Sequence, residues 1–257
     1  MTNDGDGGFT ESGRVPSGDD TCNLATWDFD NDGYPDALVG DADSNRVSLF
    51  LNDHHYFTSA AEPIRVFRSF QPNMFFVEDV DRNGVPDIVI ANEGAHTVTV
   101  LIASAPLNYG TEQIHTYVTG IEPEDVAPGD LNNDGFPDFV VGNYVSADLH
   151  VFINDRTGHF DRHTVYPAGR GAGRATVGDL NGDGFADVVV ANYEDANIYL
   201  YFNRGDGRLL KPVRLRTGEG PGFLWIDDLD ADGAADILVT NYISNDVYVF
   251  FGRPPAG

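Results

Sequence analysis

The chain has 257 residues, 41 acidic against 15 basic side chains and a formal net charge of −26. A field of that sign opposes binding to nucleic acid or to an anionic membrane surface, and no stretch is long and apolar enough to span a bilayer. The single cysteine, Cys22, excludes an intrachain disulfide framework, and the start Met1-Thr-Asn-Asp-Gly-Asp-Gly-Gly has none of the features of a signal peptide.

Taken in order, the sequence predicts short strands separated by Gly, Asn, Asp and Pro turns. The first group is Asn23–Asp28, Asp36–Gly40, Arg46–Leu51 and a strand around Phe57–Val66. Met74–Asp79, Asp87–Ala91, Thr97–Ile102 and Glu112–Tyr117 form the second. Val126–Asp130, Asp138–Gly142, Asp148–Ile153 and Phe160–Tyr166 form the third. The fourth holds Ala175–Asp179, Asp187–Ala191, Asn197–Phe202 and Leu209–Leu215, and the fifth Phe223–Asp227, Asp236–Thr240 and Asp246–Phe251. No 3.6-residue period persists long enough for a helix of any length. The fifth group lacks a fourth strand. Asn3-Asp-Gly-Asp-Gly-Gly-Phe-Thr has the form of Asn203-Arg-Gly-Asp-Gly-Arg-Leu-Leu, so Phe9–Val15 is expected to complete the last sheet beside the carboxy-terminal strand. The expected fold is all-β: one domain over 1–257, a closed five-bladed β-propeller with four antiparallel strands per blade.

Between the first and second strands of each group lies a nine-residue loop, best seen in Asp179-Leu-Asn-Gly-Asp-Gly-Phe-Ala-Asp187. Copies begin at Asp28, Asp79, Asp130, Asp179 and Asp228, at offsets of 51, 51, 49 and 49 residues. Oxygen-bearing side chains at positions 1, 3 and 5 of a tight turn can converge on one point. The glycine at position 6 supplies the bend, since a side chain resists a positive φ. The backbone carbonyl of position 7 and an Asp at position 9 complete about 6 oxygen ligands, a set suited to calcium. The candidate metal residues are Asp28, Asp30, Asp32, Tyr34 and Asp36 in the first loop, and Asp79, Asp81, Asn83, Val85 and Asp87 in the second. In the third they are Asp130, Asn132, Asp134, Phe136 and Asp138; in the fourth, Asp179, Asn181, Asp183, Phe185 and Asp187; in the fifth, Asp228, Asp230, Asp232, Ala234 and Asp236. Tyr34, Val85, Phe136, Phe185 and Ala234 enter through their carbonyls. The helix–loop–helix calcium hand places a bidentate Glu at position 12. Here that position is Val39, Ile90, Val141, Val190 or Val239, so the bidentate role is expected of the ninth residue. The bland alternative is an Asn/Asp/Gly-rich hairpin turn. Seventeen carboxylates sit in these loops, and five calcium ions would bring −26 to −16.

The segments Asp130-Leu-Asn-Asn-Asp-Gly-Phe-Pro-Asp-Phe-Val-Val-Gly-Asn-Tyr and Asp179-Leu-Asn-Gly-Asp-Gly-Phe-Ala-Asp-Val-Val-Val-Ala-Asn-Tyr resemble the integrin-α-type FG-GAP repeats and the related VCBS repeats. The resemblance runs through nearly the whole chain. It implies a β-propeller with calcium held between the first and second strands of its blades. Propellers of that family often have seven or more blades, against five motifs here.

Alternating strand direction places the 2–3 and 4–1 connections on the face opposite these loops. Asn143-Tyr144, Asn192-Tyr193 and Asn241-Tyr242 recur there, with Asn92-Glu93 and Asp41-Ala42 in the other two copies. The 4–1 turns add Arg68, Phe70, Gln71, Glu122, Glu124, Arg170, Arg174, Glu219 and Phe223. Tyrosine beside an amide can stack on a sugar or anchor a peptide; alternatively the Asn caps its turn and the Tyr packs on the next blade. No catalytic constellation stands out. The seven histidines (54, 55, 96, 115, 150, 159 and 163) have no metal-ligand spacing, Cys22 has no defined partner, no Gly-x-Ser-x-Gly occurs, and only Glu122, Glu124 and Glu219 offer a speculative acid or base. The expected function is non-enzymatic binding, of a glycan ahead of a protein, by a calcium-loaded monomer outside or on the surface of the cell. A protein-adhesion module, a structural scaffold (natural or engineered) and a polysaccharide-acting enzyme are the alternatives.

Overall fold

The computed structural model describes residues 2–3, 9–10, 16–17, 20–53, 56–59, 71–110 and 113–253. After a small pair, β1 (Thr2–Asn3) and β2 (Phe9–Thr10), the strands fall into five antiparallel sheets. Sheet I holds β3 (Thr21–Trp27), β4 (Asp36–Asp41), β5 (Arg46–Asp53) and β6 (Tyr56–Ser59). Sheet II holds β7 (Pro72–Glu78), β8 (Asp87–Asn92), β9 (Thr97–Leu101) and β10 (Ile114–Val118). Sheet III holds β11 (Pro123–Gly129), β12 (Asp138–Asn143), β13 (Asp148–Ile153) and β14 (Arg162–Pro167). Sheet IV holds β15 (Ala172–Gly178), β16 (Asp187–Asn192), β17 (Asn197–Tyr201) and β18 (Val213–Arg216). Sheet V holds β19 (Pro221–Asp227), β20 (Asp236–Asn241) and β21 (Asp246–Phe250). In every sheet the strands are ordered as in the chain. Glu93–Ala95 forms a 3₁₀ turn.

The first strands begin two or three residues earlier than the sequence predicts. Pro72, Pro123 and Pro221 read as turn residues, but a proline is accommodated at the first position of a strand, where its missing N–H breaks no ladder. A register shift follows at once, between Pro123 and Asp125, for example. Among the described residues no fourth strand lies beside β21. Phe9–Thr10 pair with Thr2–Asn3 instead, and residues 11–15 lie outside the described residues, as do 60–66 of the predicted Phe57–Val66 strand.

Side chains alternate across each strand, so every sheet offers one face to its predecessor and one to its successor. Among the described residues, four apolar clusters lie between successive sheets. Phe75, Ile88 and Ile90 meet Phe29, Leu38 and Leu49 between sheets I and II. Between II and III, Phe76, Val89 and Val100 meet Phe139, Phe152 and Phe160, with Phe139 stacked on Phe152 at 4.8 Å. Val140, Leu149 and Val151 meet Val188, Val190 and Tyr201 between III and IV. Val189, Ile198 and Leu200 meet Ile237 and Val239 between IV and V. Close approach also needs small residues: a Cβ on Gly142 would stand 2.8 Å from the Gly173 carbonyl of the next sheet. The first strands pack in sequence, β3 on β7, β7 on β11, β11 on β15 and β15 on β19, and no packing of that extent returns from β19 to β3 among the described residues.

Phe139 is fully buried and packs against three other aromatic rings of the II–III core, Phe76, Phe152 and Phe160. Phe139→Ala is expected to lower unfolding stability by about 3–5 kcal/mol, measured by urea denaturation. A loss under about 1 kcal/mol would mean that this core is not close-packed.

Candidate metal loops and the opposite face

The five loops share one hydrogen-bond scheme, set by their own short side chains. At position 1, one carboxylate oxygen accepts the N–H of position 6: Gly33 to Asp28, Gly84 to Asp79, Gly135 to Asp130 and Gly184 to Asp179 at 2.8 Å, and Gly233 to Asp228 at 3.0 Å. These glycines have φ between 84 and 93°, a region that a side chain would strain. At position 5, Asp32, Asn83, Asp134, Asp183 and Asp232 each accept the N–H of position 7, from Tyr34, Val85, Phe136, Phe185 and Ala234. Asp30, Asp81, Asn132, Asn181 and Asp230 accept the N–H of position 5.

The ninth residue behaves differently from the others. Asp36, Asp87, Asp138, Asp187 and Asp236 are essentially buried. One oxygen of each accepts the N–H of loop position 2 at 2.8–3.1 Å, from Phe29, Val80, Leu131, Leu180 and Leu229. The other accepts an N–H at the end of the third strand, 16 residues on, at 2.7–2.8 Å, from Asn52, Ala103, Asn154, Asn203 and Gly252. These residues therefore clip the loop to its sheet with both oxygens, a task additional to the ligand role expected from the sequence. A second lone pair remains on each oxygen. Burial pushes Asp87 and Asp138 up to about 7, against the pull of their N–H partners, and raises Asp187 for the same reason.

Three loops gather three carboxylates whose nearest oxygens lie within 4.8 Å of one another: Asp28, Asp30 and Asp32; Asp79, Asp81 and Asp87; Asp228, Asp230 and Asp236. Unit charges that close repel by on the order of 3 kcal/mol at an effective dielectric of 20, so each set is suited to a small, hard, oxygen-seeking cation. Burial and then the neighbouring carboxylates Asp36 and Asp32 raise Asp30, and burial followed by Asp232 raises Asp230. The loops at Asp130 and Asp179 carry amides at position 3. In the third loop an arginine also intrudes: the Arg156 Nε donates to Asp134 at 2.9 Å, and Arg82 reaches the Gly135 carbonyl from the previous sheet. Burial opposes ionisation of Asp134, but hydrogen bonds from Arg156, Phe136 and Asn132 outweigh it and hold the group below its ordinary value. No sequence spacing announces Arg156, which arrives from the 3–4 turn of its own sheet.

On the opposite face, the 2–3 and 4–1 turns are joined as the strand directions predict. Tyr144, Tyr193 and Tyr242 donate their backbone N–H to the carbonyls of Glu122, Gly171 and Gly220. The Asn and Tyr of each pair divide their tasks. Asn143, Asn192 and Asn241 are buried, and their amides donate across the hairpin to Asp148, Asn197 and Asp246 at 2.8–2.9 Å. The tyrosines face outward: Tyr242 is 79 % exposed, and the half-buried rings of Tyr144 and Tyr193 lie 6.3 Å apart. Tyr193 and Tyr242 border a cavity of about 350 Å³ together with Glu124, Arg174, Phe223 and Asn241. Arg174 lies over the Phe223 ring at 5.2 Å, and its Nη1, like the Asn241 Oδ1, is buried without a protein partner. Burial pushes Glu124 up to about 7, with Arg174 pulling the other way. Glu219 is exposed and Arg170 pairs with Asp195 at 2.9 Å; Arg68 and Phe70 lie outside the described residues.

A sequence model described as an FG-GAP-like repeat matches four overlapping stretches, residues 28–90, 79–141, 130–190 and 179–239. The chain belongs to the FG-GAP-like repeat family. Each matched stretch of this FG-GAP-like chain runs from one acidic loop through the second strand of the next sheet, so the family unit contains the loop, its clip and the following inter-sheet core. No curated protein sequence matches the chain. Among solved structures, it is similar to a candidate 6-phosphogluconolactonase from Bacteroides fragilis, with a TM-score of 0.66 and 17% identity over 91% of this chain and 66% of that one. It is also similar to BBS1N, crystallised in complex with ARL6DN, with a TM-score of 0.59 and 16% identity over 93% of this chain and 62% of that one. A protein from Lactobacillus plantarum gives a TM-score of 0.60 and 14% identity, over 97% and 73% of the two chains. At such identities the likeness concerns the fold alone. The chain spans about two thirds of the length of the first two.

The raised Glu124 value has a measurable consequence. Between its ordinary 4.5 and about 7, the folded protein holds a proton that the unfolded chain has lost. Its contribution to stability is therefore greatest at low pH and declines as pH rises through that window. Glu124→Gln should remove that part of the decline, giving a smaller fall in melting temperature from pH 5 to pH 8 than the parent at matched calcium. Parallel pH profiles would show that Glu124 ionises without hindrance.

Proposed function

We propose that this chain is a calcium-stabilised, non-enzymatic binding module, its five sheets acting as the blades of a propeller. The ligand we favour is a glycan, seated in the cavity bordered by Tyr193, Tyr242, Phe223, Arg174 and Glu124. The observation that carries this reading is the composition of the cavity. Exposed aromatic rings beside an unpartnered guanidinium nitrogen and amide oxygen give a sugar an apolar face to stack on and polar atoms to hydrogen-bond. Calcium is supported by the convergence of carboxylates in three loops. Extracellular calcium concentrations would fill weak sites more readily than cytosolic ones, which favours a place outside or on the surface of the cell. Binding without catalysis is favoured because Glu124 stands in the cavity without a second carboxyl or a nucleophile suited to work with it. A protein ligand is the second reading. Its support is that BBS1N, a chain of similar fold, was crystallised in complex with ARL6DN.

Two measurements test these claims. Glycan-array binding by the calcium-loaded protein should fall at least about tenfold in affinity in Tyr193→Ala and Tyr242→Ala. A blank array with the parent protein would move the reading to a protein ligand. Chelation should lower the melting temperature, because calcium that binds only the folded chain stabilises it by linkage. The all-Asp loops at Asp28 and Asp228 should bind most tightly, and Arg156→Ala should tighten the third loop by freeing Asp134. Superimposable melting curves with calcium and with chelator, at matched ionic strength, would remove calcium from the account.

A further inference from the structure

In two sheets the third residue of the first strand ties that sheet to the next. In sheet I it is Asn23, opposite Gly40, and its amide donates to the Phe75 carbonyl of sheet II at 2.9 Å. In sheet III it is Asp125, opposite Gly142, and its carboxylate accepts the Ala175 N–H of sheet IV at 3.0 Å. Register puts Arg174 at the same place in sheet IV, opposite Ala191. What it meets in sheet V is a ring rather than a backbone group: the guanidinium lies over Phe223, 5.2 Å from the centroid. Its Nη1 is buried and has no hydrogen-bond partner. Arg46, Arg156 and Arg170 each have a carboxylate oxygen at 2.9–3.4 Å. Among the described residues, no carboxylate stands within ion-pair distance of Arg174.

A guanidinium nitrogen withdrawn from water without a partner is costly. In a chain with 41 acidic residues, the partner is not lacking for want of carboxylates. Arg174 borders the cavity of about 350 Å³ that Tyr193, Tyr242 and Asn241 also line, so a molecule seated there can supply what the chain does not. Building on the glycan reading given above, we infer that the cavity takes an acidic sugar, a uronate whose carboxylate pairs with the Arg174 guanidinium. Three features select that ligand. The guanidinium presents a planar fork of donors matched to a carboxylate, and Phe223 supports it from one side. The Asn241 Oδ1, also buried and unpartnered, is an acceptor for a sugar hydroxyl. Glu124, the acidic residue at the cavity wall, is held toward its protonated form by burial, against the pull of Arg174, which limits the repulsion a uronate meets from it. The net charge of −26 opposes an anion only at long range, since exposed charges are screened beyond about 10 Å at 0.1 M ionic strength, and the acidic loops lie on the opposite face.

Titration calorimetry of the calcium-loaded protein tests the inference with galacturonate and glucuronate trisaccharides, each as the free acid and as the methyl ester, at constant free calcium. The parent should bind at least one free acid at least about tenfold more tightly than its ester. Arg174→Gln should weaken binding of that acid by at least about tenfold and of the ester by less than about threefold, because only the acid loses an ion pair. Arg174→Lys, which keeps the charge without the fork, should recover part of the loss. The acid-to-ester ratio is read on the parent and stands even where an Arg174 variant fails to fold. Equal binding of acid and ester would overturn the uronate and leave a glycan in the cavity, as would neutral sugars bound on an array while both acids are refused. An acid preference that survives Arg174→Gln in folded protein would place the carboxylate elsewhere and overturn it as well. Refusal of every sugar, or binding of a Gly-Asp-Gly peptide in their place, would overturn the uronate and the glycan together.

Discussion

The buried aspartate at the ninth loop position holds the rest of the arrangement in place. Removing a carboxylate from water is costly unless its lone pairs are filled, and here two backbone N–H groups fill them, one from the loop and one from the end of the third strand. The sheet is thereby fastened to its loop at a fixed distance, five times over. Only with that anchor in place do the shorter Asx hydrogen bonds bend the loop so that its remaining oxygens face inward. Asn154 and Asn203 extend the fastening between sheets, donating to the Val80 and Leu131 carbonyls of the preceding loops. The end of the molecule that carries the acidic loops is thus ordered by backbone-directed bonds that do not themselves require a cation.

The opposite face is organised by other means. Its turns are tied by backbone bonds and by buried Asn amides, which leaves the neighbouring residues free to vary without disturbing the sheets. Tyr193, Tyr242, Arg174 and Phe223 occupy that free layer. Variation there is cheap in stability, whereas variation at a clip or a core position is not. A repeat fold can therefore keep one end constant and diversify the other, which suits a scaffold for recognition.

Much of this was legible in the residues. Loop spacing, the glycine at position 6 and the strand alternation are local properties, and each appeared where the periodicity placed it. What escaped was non-local. Pro123 and Pro221 read as breakers because their tolerance depends on being first in a ladder. The clipping task of the ninth aspartate was not visible, because its partner, the N–H of residue 154 in the third loop's case, lies 16 positions away. Arg156 in the third site and the cavity around Arg174 exist only once separate turns meet. The Asn-Tyr pairs illustrate the boundary well: their repetition was plain, but the division into a buried amide and an outward ring needed the cross-hairpin partners Asp148, Asn197 and Asp246.

The row of sheets also sets how the molecule comes apart. Among the described residues each core joins a sheet to the next in the chain, so a sheet's resistance to opening depends on how many of its faces are covered, in the manner of a one-dimensional cooperative chain. Sheets II, III and IV lie between two of the described cores, while sheets I and V each border one. Disruption should therefore begin at sheets I and V and travel inward, and amide protons in β12 and β16 should be among the slowest to exchange. The fifth acidic loop shares the fate of its sheet: although Asp228, Asp230 and Asp236 form one of the better-gathered carboxylate sets, any cation there is held by the part of the fold most ready to fray.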